Sequence, residues 1–212
     1  MRMWSGWLLT LLLGGHGVAA GPRLEEGELK TGDLVFQTSR SRQSVAIQAA
    51  TDSPLSHVGL VEVTPAGVFV VEAVQPVRRV GFASWKARGQ GGRLLVLRPE
   101  AVAEERRAAA VAEARRHLGK PYDWRFGWGD EAMYCSELAR KAYSAAAGVD
   151  FGRLERLGAL RLERLGPALR QRYGGRVPLR QALITPASLA ADERLAVVYS
   201  DYPAIRRATP SR

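Results

Sequence analysis

Residues 57–74 read His57-Val58-Gly59-Leu60-Val61-Glu62-Val63-Thr64-Pro65-Ala66-Gly67-Val68-Phe69-Val70-Val71-Glu72-Ala73-Val74. Two β-rich runs, His57 to Val63 and Val68 to Val74, flank the turn-forming Thr64-Pro65-Ala66-Gly67. Branched and aromatic side chains favour a pleated surface, and Pro with Gly breaks it, so the stretch predicts an antiparallel hairpin with a four-residue loop. Upstream, Leu34-Val35-Phe36 is a first strand, Ser44 to Ala50 a short helix, and Thr51-Asp52-Ser53-Pro54 a turn. Downstream, Val77 to Val80 is a short strand, and Arg93 to Arg98 a buried one built on Leu94, Leu95, Val96 and Leu97.

The pattern changes at Pro99. Residues 100–118 are alanine-rich and charged without Gly or Pro, which predicts a helix with Val111, Ala114 and Leu118 on one face. Gly119 and Pro121 stop it. Residues 135–147 form a second helix closed by Gly148, and residues 154–173 are partly helical. Thr185-Pro186 is a cap followed by a first-turn proline, and Leu195 to Tyr199 is a last strand. Strands followed by helices and one late strand give an α+β fold, an antiparallel sheet packed against helices.

The 212 residues, 46% hydrophobic and 25% charged, suffice for one core without disulfides or metal. The net charge of +10 is spread along the chain, and no nucleic-acid-reading motif accompanies it, so a nucleic-acid partner is not expected. Gly89-Gln90-Gly91-Gly92 lacks the strand, helix and lysine context of a phosphate loop and reads as a turn. No cofactor is expected, and the few histidines argue against a metal centre.

Residues 1–20 read as a secretory signal. Arg2 is the basic start, Trp4 to Gly14 is mostly apolar and short, and Val18 and Ala20 are small enough to precede a cleavage site. The alternatives are a retained anchor or a buried N-terminal helix. The domain then covers residues 21–202, and residues 203–212 form a flexible basic tail. Export implies an oxidising compartment, periplasmic or extracellular, where a basic surface meets anionic envelope polymers or lipid.

In that setting the single cysteine, Cys135, is a candidate nucleophile, against the alternative of an inert buried thiol. It opens the second helix, whose N-terminal N–H groups favour a thiolate and can bind an oxyanion. A nucleophilic cysteine needs a base. His16 leaves with the leader and His117 ends a charged helix, which leaves His57. Its orienting acid is Glu72, on the neighbouring strand, because a charge amid Val70-Val71-Glu72-Ala73-Val74 is expensive unless paired. Glu62 is the competitor but lies five residues after His57, on the other face of its strand. Glu137 is about 200° round the helix from Cys135 and is assigned to packing or a buried pair.

Leu29-Lys30-Thr31-Gly32-Asp33-Leu34-Val35-Phe36, Ser56-His57-Val58-Gly59-Leu60 and Val71-Glu72-Ala73 resemble the first half of YiiX/YebB-like cysteine hydrolases. Gly119-Lys120-Pro121-Tyr122-Asp123, Tyr134-Cys135-Ser136-Glu137-Leu138 and Ile184-Thr185-Pro186 resemble the second half. The resemblance runs from about residue 27 to 200. It implies the circularly permuted papain-like fold of the NlpC-type superfamily, with Cys135 as nucleophile, His57 as base and Glu72 as orienting acid. It also implies that Tyr122 lines the oxyanion site beside the Cys135 backbone N–H. Trp124, Phe126 and Trp128 are candidates for a substrate groove or for core packing.

The expected activity is hydrolysis of an amide or ester carbonyl through a thioester, foremost on cell-wall (peptidoglycan) stem peptides. Lipid acyl hydrolysis or acyl transfer is the first alternative, and a non-catalytic envelope-binding protein the second. The leader reading makes an immediate prediction. Protein recovered outside the cytoplasm should begin at Gly21 on N-terminal sequencing, and intact Met1 on soluble cytoplasmic protein would overturn it.

Overall fold

The computed structural model describes residues 24–202. The leader at 1–20 and the basic tail at 203–212 lie outside the described residues. The elements run β1 (Leu34–Gln37), α1 (Arg42–Thr51), β2 (His57–Thr64), β3 (Gly67–Glu72), β4 (Arg78–Gly81), α2 (Phe82–Ala87), β5 (Leu95–Arg98), α3 (Glu104–Arg115) and α4 (Cys135–Ala147). They continue with β6 (Glu155–Arg156), α5 (Gly166–Tyr173), β7 (Ala182–Leu183), α6 (Pro186–Ala190) and β8 (Ala196–Ser200).

Six strands form one antiparallel sheet in the order β4-β3-β2-β1-β5-β8, and β6 pairs with β7 separately. One face, carrying Leu34, Phe36, Val58 and Leu60, packs on Val111 and Ala114 of α3 and Leu138 and Tyr143 of α4. The other face, carrying Val35, Val61, Val70 and Val96, is covered by Phe82 and Trp85 of α2. This is the expected α+β arrangement.

The hairpin keeps the register read from the sequence, Val63 opposite Val68, with pairing extended to Thr64 and Gly67. Only Pro65 and Ala66 remain as the loop. The helix expected over 100–118 is shorter. Leu118, expected beside Val111 and Ala114, is 40% exposed, because α3 ends at Arg115 and the chain turns away over residues 116–119. α4 has the predicted bounds, and Gly148 closes it in the left-handed conformation that glycine adopts without a Cβ clash. α1 starts earlier than Ser44, because Ser41 is the cap and its hydroxyl accepts from the Ser44 N–H. Thr185 caps α6 through the Ser188 N–H.

Two motifs fasten the layers. Asp33, fully buried, accepts from the Lys30 N–H at 2.8 Å and takes Arg98 through both oxygens at 2.7 Å, which ties the entry of β1 to β5. The Tyr143 hydroxyl donates to the Gly32 carbonyl and pins α4 to the same turn.

Gly59 shows how tightly the centre of the sheet is filled. A Cβ there would lie 2.3 Å from Val70 Cγ1 and 3.0 Å from the Val71 carbonyl oxygen. Gly59→Ala should therefore lower the unfolding free energy by about 1–3 kcal/mol, the usual cost of overpacking. A urea midpoint equal to that of the native chain would show that β2 and β3 can part without penalty.

Candidate active site

Glu72 ends β3 opposite Gly59, and His57 begins β2 two residues earlier on the same face. Glu72 and His57 are thus diagonal cross-strand neighbours with no side chain between them. His57 Nε2 meets Glu72 Oε2 at 2.6 Å. Glu72 is fully buried, and Arg78 (3.0 Å) and Arg88 reach its other oxygen. Glu62 is used elsewhere, by Arg79 and Arg115. Trp85 of α2 stacks on the His57 ring with centroids 6.1 Å apart.

With Nε2 held by Glu72, Nδ1 is the nitrogen left for sulfur, and Cys135 is near enough to raise the pKa of His57. Cys135 is the first residue of α4, buried and unbridged. Its neighbours fix it. The Tyr134 hydroxyl accepts from the Ile184 N–H at 3.0 Å, and Ser136 donates to the Ile184 carbonyl at 2.8 Å. Glu137 points away from the sulfur: it accepts from the Tyr134 N–H and pairs with Lys141 at 2.9 Å.

Tyr122 is held beside the cysteine strand segment by a bridge to Met133. Its hydroxyl accepts from Gln43 Nε2 at 2.8 Å, which leaves the phenol proton to donate elsewhere. Burial and the nearby sulfur keep that phenol well above its usual pKa, so it stays a donor.

Two hollows meet at Tyr122. One is a narrow slot of about 70 Å³, walled by Ile47, Ala50, Leu157, Leu160, Leu169 and Leu183 and bordered by Cys135 and Phe126. The other is a cavity of about 670 Å³ bordered by His57, Trp124, Gln37 and Arg88. Of the three aromatic groove candidates, Phe126 lines the slot and Trp124 the cavity. Trp128 lines neither, and its ring faces Lys141. The residues that sequence reasoning missed are Trp85, Arg78, Arg88 and Gln43. None stands in a recognisable motif, and α2 had no expected helix. Among the described residues, no group of three or more His, Cys, Asp or Glu side chains is placed to hold a metal ion.

The electrostatics define a pH window. Burial works against the His57 imidazolium, but the neighbouring Cys135 and Glu72 outweigh it and raise its pKa from 6.5 to about 9. Burial likewise works to raise Glu72, but His57, Arg88 and Arg78 hold it down at about 2. A raised histidine stabilises the fold fully below its unfolded value and loses that contribution as pH rises through the folded value. A depressed carboxylate contributes above its unfolded value and loses it as pH falls. The stability difference between the native chain and His57→Gln should accordingly shrink between about pH 6.5 and 9 in urea titrations. A difference that stays constant across that range would mean that His57 is uncharged in the fold.

A family model described as "Permuted papain-like amidase enzyme, YaeF/YiiX, C92 family" matches residues 28–199. The chain is 36% identical over 177 residues to the uncharacterized protein YiiX of Escherichia coli K12, covering 82% of this chain and 88% of that protein. It is also similar to a crystal structure described as metalloprotein yiiX from Escherichia coli O157:H7. The TM-score there is 0.79 at 36% identity, over 83% of this chain and 99% of that one. Matched in sequence over most of its length and in fold over the same span, this chain belongs to the YaeF/YiiX, C92 family of permuted papain-like amidases.

Proposed function

We infer that the protein is a cysteine amidase or acyl hydrolase whose acyl group is an aliphatic chain, released through a thioester on Cys135. The observation that carries this reading is the slot. It reaches Cys135, and its walls are mostly leucine, isoleucine and alanine side chains, with Thr51, Thr185 and Arg172 at its border. A stem peptide would have to bring amides and charges against a wall that offers few partners, and each group left unpaired costs several kcal/mol. A methylene chain gains about 0.8 kcal/mol for each CH₂ buried. The slot therefore favours a lipid-like acyl group over the cell-wall peptide that the motifs first suggested.

The chemistry follows from the contacts. His57 takes the thiol proton and, oriented and charge-balanced by Glu72, holds it as imidazolium. The Cys135 sulfur attacks the carbonyl carbon. The Cys135 N–H, at the positive end of α4, and the Tyr122 hydroxyl face the developing oxyanion. His57 returns the proton to the departing nitrogen or oxygen, and the thioester remains. Water then gives a proton to His57, attacks the thioester and frees the acid and the thiol.

The description of the Escherichia coli O157:H7 relative as a metalloprotein belongs to that protein. Among the described residues, the acid that meets His57 is Glu72, already paired with two arginines, and no group of three or more His, Cys, Asp or Glu side chains is placed to hold a metal ion. The residues present do not fit a resident metal, and no step runs through one. The net charge of +10 is consistent with work at an anionic envelope surface, which is where the expected leader would deliver it.

The test is a series of acyl amides or esters differing only in chain length. kcat/KM should rise by about two- to fourfold for each added CH₂ until the slot is full. Intact-mass spectra should show the acyl group on Cys135, and Cys135→Ser should show none. Equal turnover of acetyl and long-chain substrates, or no adduct with any of them, would remove this reading.

A further inference from the structure

We propose that the cavity on the His57 side of Tyr122 is the leaving-group site and that it selects a departing amine or alcohol bearing a negative charge, a carboxylate or a phosphate. The assignment of the leaving group rests on the acyl-transfer reading of Cys135. The charge preference rests on the cavity itself.

The side on which the leaving group departs follows from proton transfer. The atom that leaves must be protonated by His57, so it must sit where His57 is reached. Cys135 borders the slot and His57 borders the cavity, with Tyr122 common to both. A substrate with its carbonyl at Cys135 and its acyl chain in the slot therefore directs its other half into the cavity.

The charge preference follows from three features of the walls. First, Arg40, Arg42 and Arg88 line the cavity and no Asp or Glu does. Arg88 is matched by the buried Glu72 behind it, whereas Arg40 and Arg42 have no carboxylate partner among the described residues. Second, Ser41, Arg42 and Gln43 are the cap and first turn of α1, a ten-residue helix, so its positive end lies on the same wall. Third, Gln37 is 1% exposed and borders the cavity, yet neither its amide nitrogen nor its amide oxygen has a hydrogen-bond partner. A buried amide left unsatisfied costs about 1–3 kcal/mol. A small turn of the side chain toward the cavity would let an anionic oxygen there take the Nε2 protons and relieve that cost. Charged and amide donors around an unmatched hollow are the chemistry of carboxylate and phosphate recognition.

The experiment uses a matched pair, N-octanoylglycine and N-octanoylglycinamide, which differ by one charge. Binding is measured by calorimetry to the full-length Cys135→Ser protein, and turnover by the native protein. The carboxylate should bind about tenfold tighter than the amide. That ratio should fall toward one in the Arg40→Gln, Arg42→Gln background and in salt near 1 M, where screening acts within about 3 Å. N-octanoyl ethanolamine and its O-phosphate, run as a second pair, show whether phosphate is accepted as well. Equal affinity within both pairs, a preference untouched by the arginine changes, or no binding of any member overturns the proposal. A charge preference that obeys these rules without turnover of any member upholds the cavity and removes the acyl-hydrolase reading instead.

Discussion

A carboxylate with no exposure to water governs the centre of this molecule. Glu72 ends a strand whose other residues are apolar, and burial of its charge is affordable only because three cationic groups converge on it. His57 takes one oxygen, and Arg78 and Arg88 take the other. Each comes from a different place: the start of β2, the start of β4 and the end of α2. The charge thus fixes the order β4-β3-β2 and the seat of α2 as much as hydrophobic burial does. Removing any one partner would leave the others to balance a buried charge, which is the expensive case for ion pairs. Gly59 belongs to the same constraint, since any side chain there would enter the space where β3 carries Val70 and Glu72 past β2.

The sulfur is brought to this charge pair by a second set of contacts that are neutral. Tyr134 and Ser136, on either side of Cys135, both bond to Ile184, one through its N–H and one through its carbonyl. Tyr143, two turns along α4, bonds to Gly32 at the entry of β1. The helix is held at both its first and third turns, so its N-terminus cannot slide along the sheet. Sub-ångström placement of a nucleophile against its base requires such bracing, because proton transfer depends steeply on distance. Glu137 contributes by satisfying the first N–H of this region and by pairing with Lys141, with no part at the sulfur. Its carboxyl is raised to about 7 by burial, partly offset by Lys141, which fits a structural acid away from solvent.

The strands and the cysteine helix were legible because their signals are local. β-branched runs broken by Pro-Ala-Gly state a hairpin, and Cys135 to Gly148 carries both a helix period and its stop. The His57–Glu72 contact was legible for a different reason: a lone charge in an apolar strand demands a partner, and few residues could supply one. Arg78, Arg88 and Trp85 were not legible, since an arginine or tryptophan among turns gives no sign of where it will point. Leu118 misled because helical periodicity does not say where the last turn ends. The slot was hidden most deeply. Its wall joins α1 at Ile47 and Ala50 with Leu157, Leu160, Leu169 and Leu183, segments more than a hundred residues apart. The Arg- and Leu-rich stretch 154–173 reads as an ordinary amphipathic segment, and only the fold shows that Leu157, Leu160, Leu162, Leu165 and Leu169 line a slot that Cys135 borders.

That arrangement carries a consequence for how one scaffold separates two halves of a substrate. Tyr122 stands where the apolar slot and the polar cavity meet, with its phenol held from one side by Gln43. In the proposed reaction a phenol fixed in this way would serve the oxyanion, and it stands between the largely aliphatic slot and the cavity that Arg40, Arg42 and Arg88 border. The two compartments favour opposite chemistries, because burying an alkyl chain among arginines forfeits its hydrophobic gain and burying a charge among leucines leaves it unpaired. Under the proposed reading an amphiphile would bind with its acyl chain toward α5 and its polar end toward the start of α1. In the proposed reaction that orientation would bring its carbonyl to Cys135 and His57. Orientation of this kind comes from partition of the substrate between two environments, and few directional contacts to the reacting group are needed.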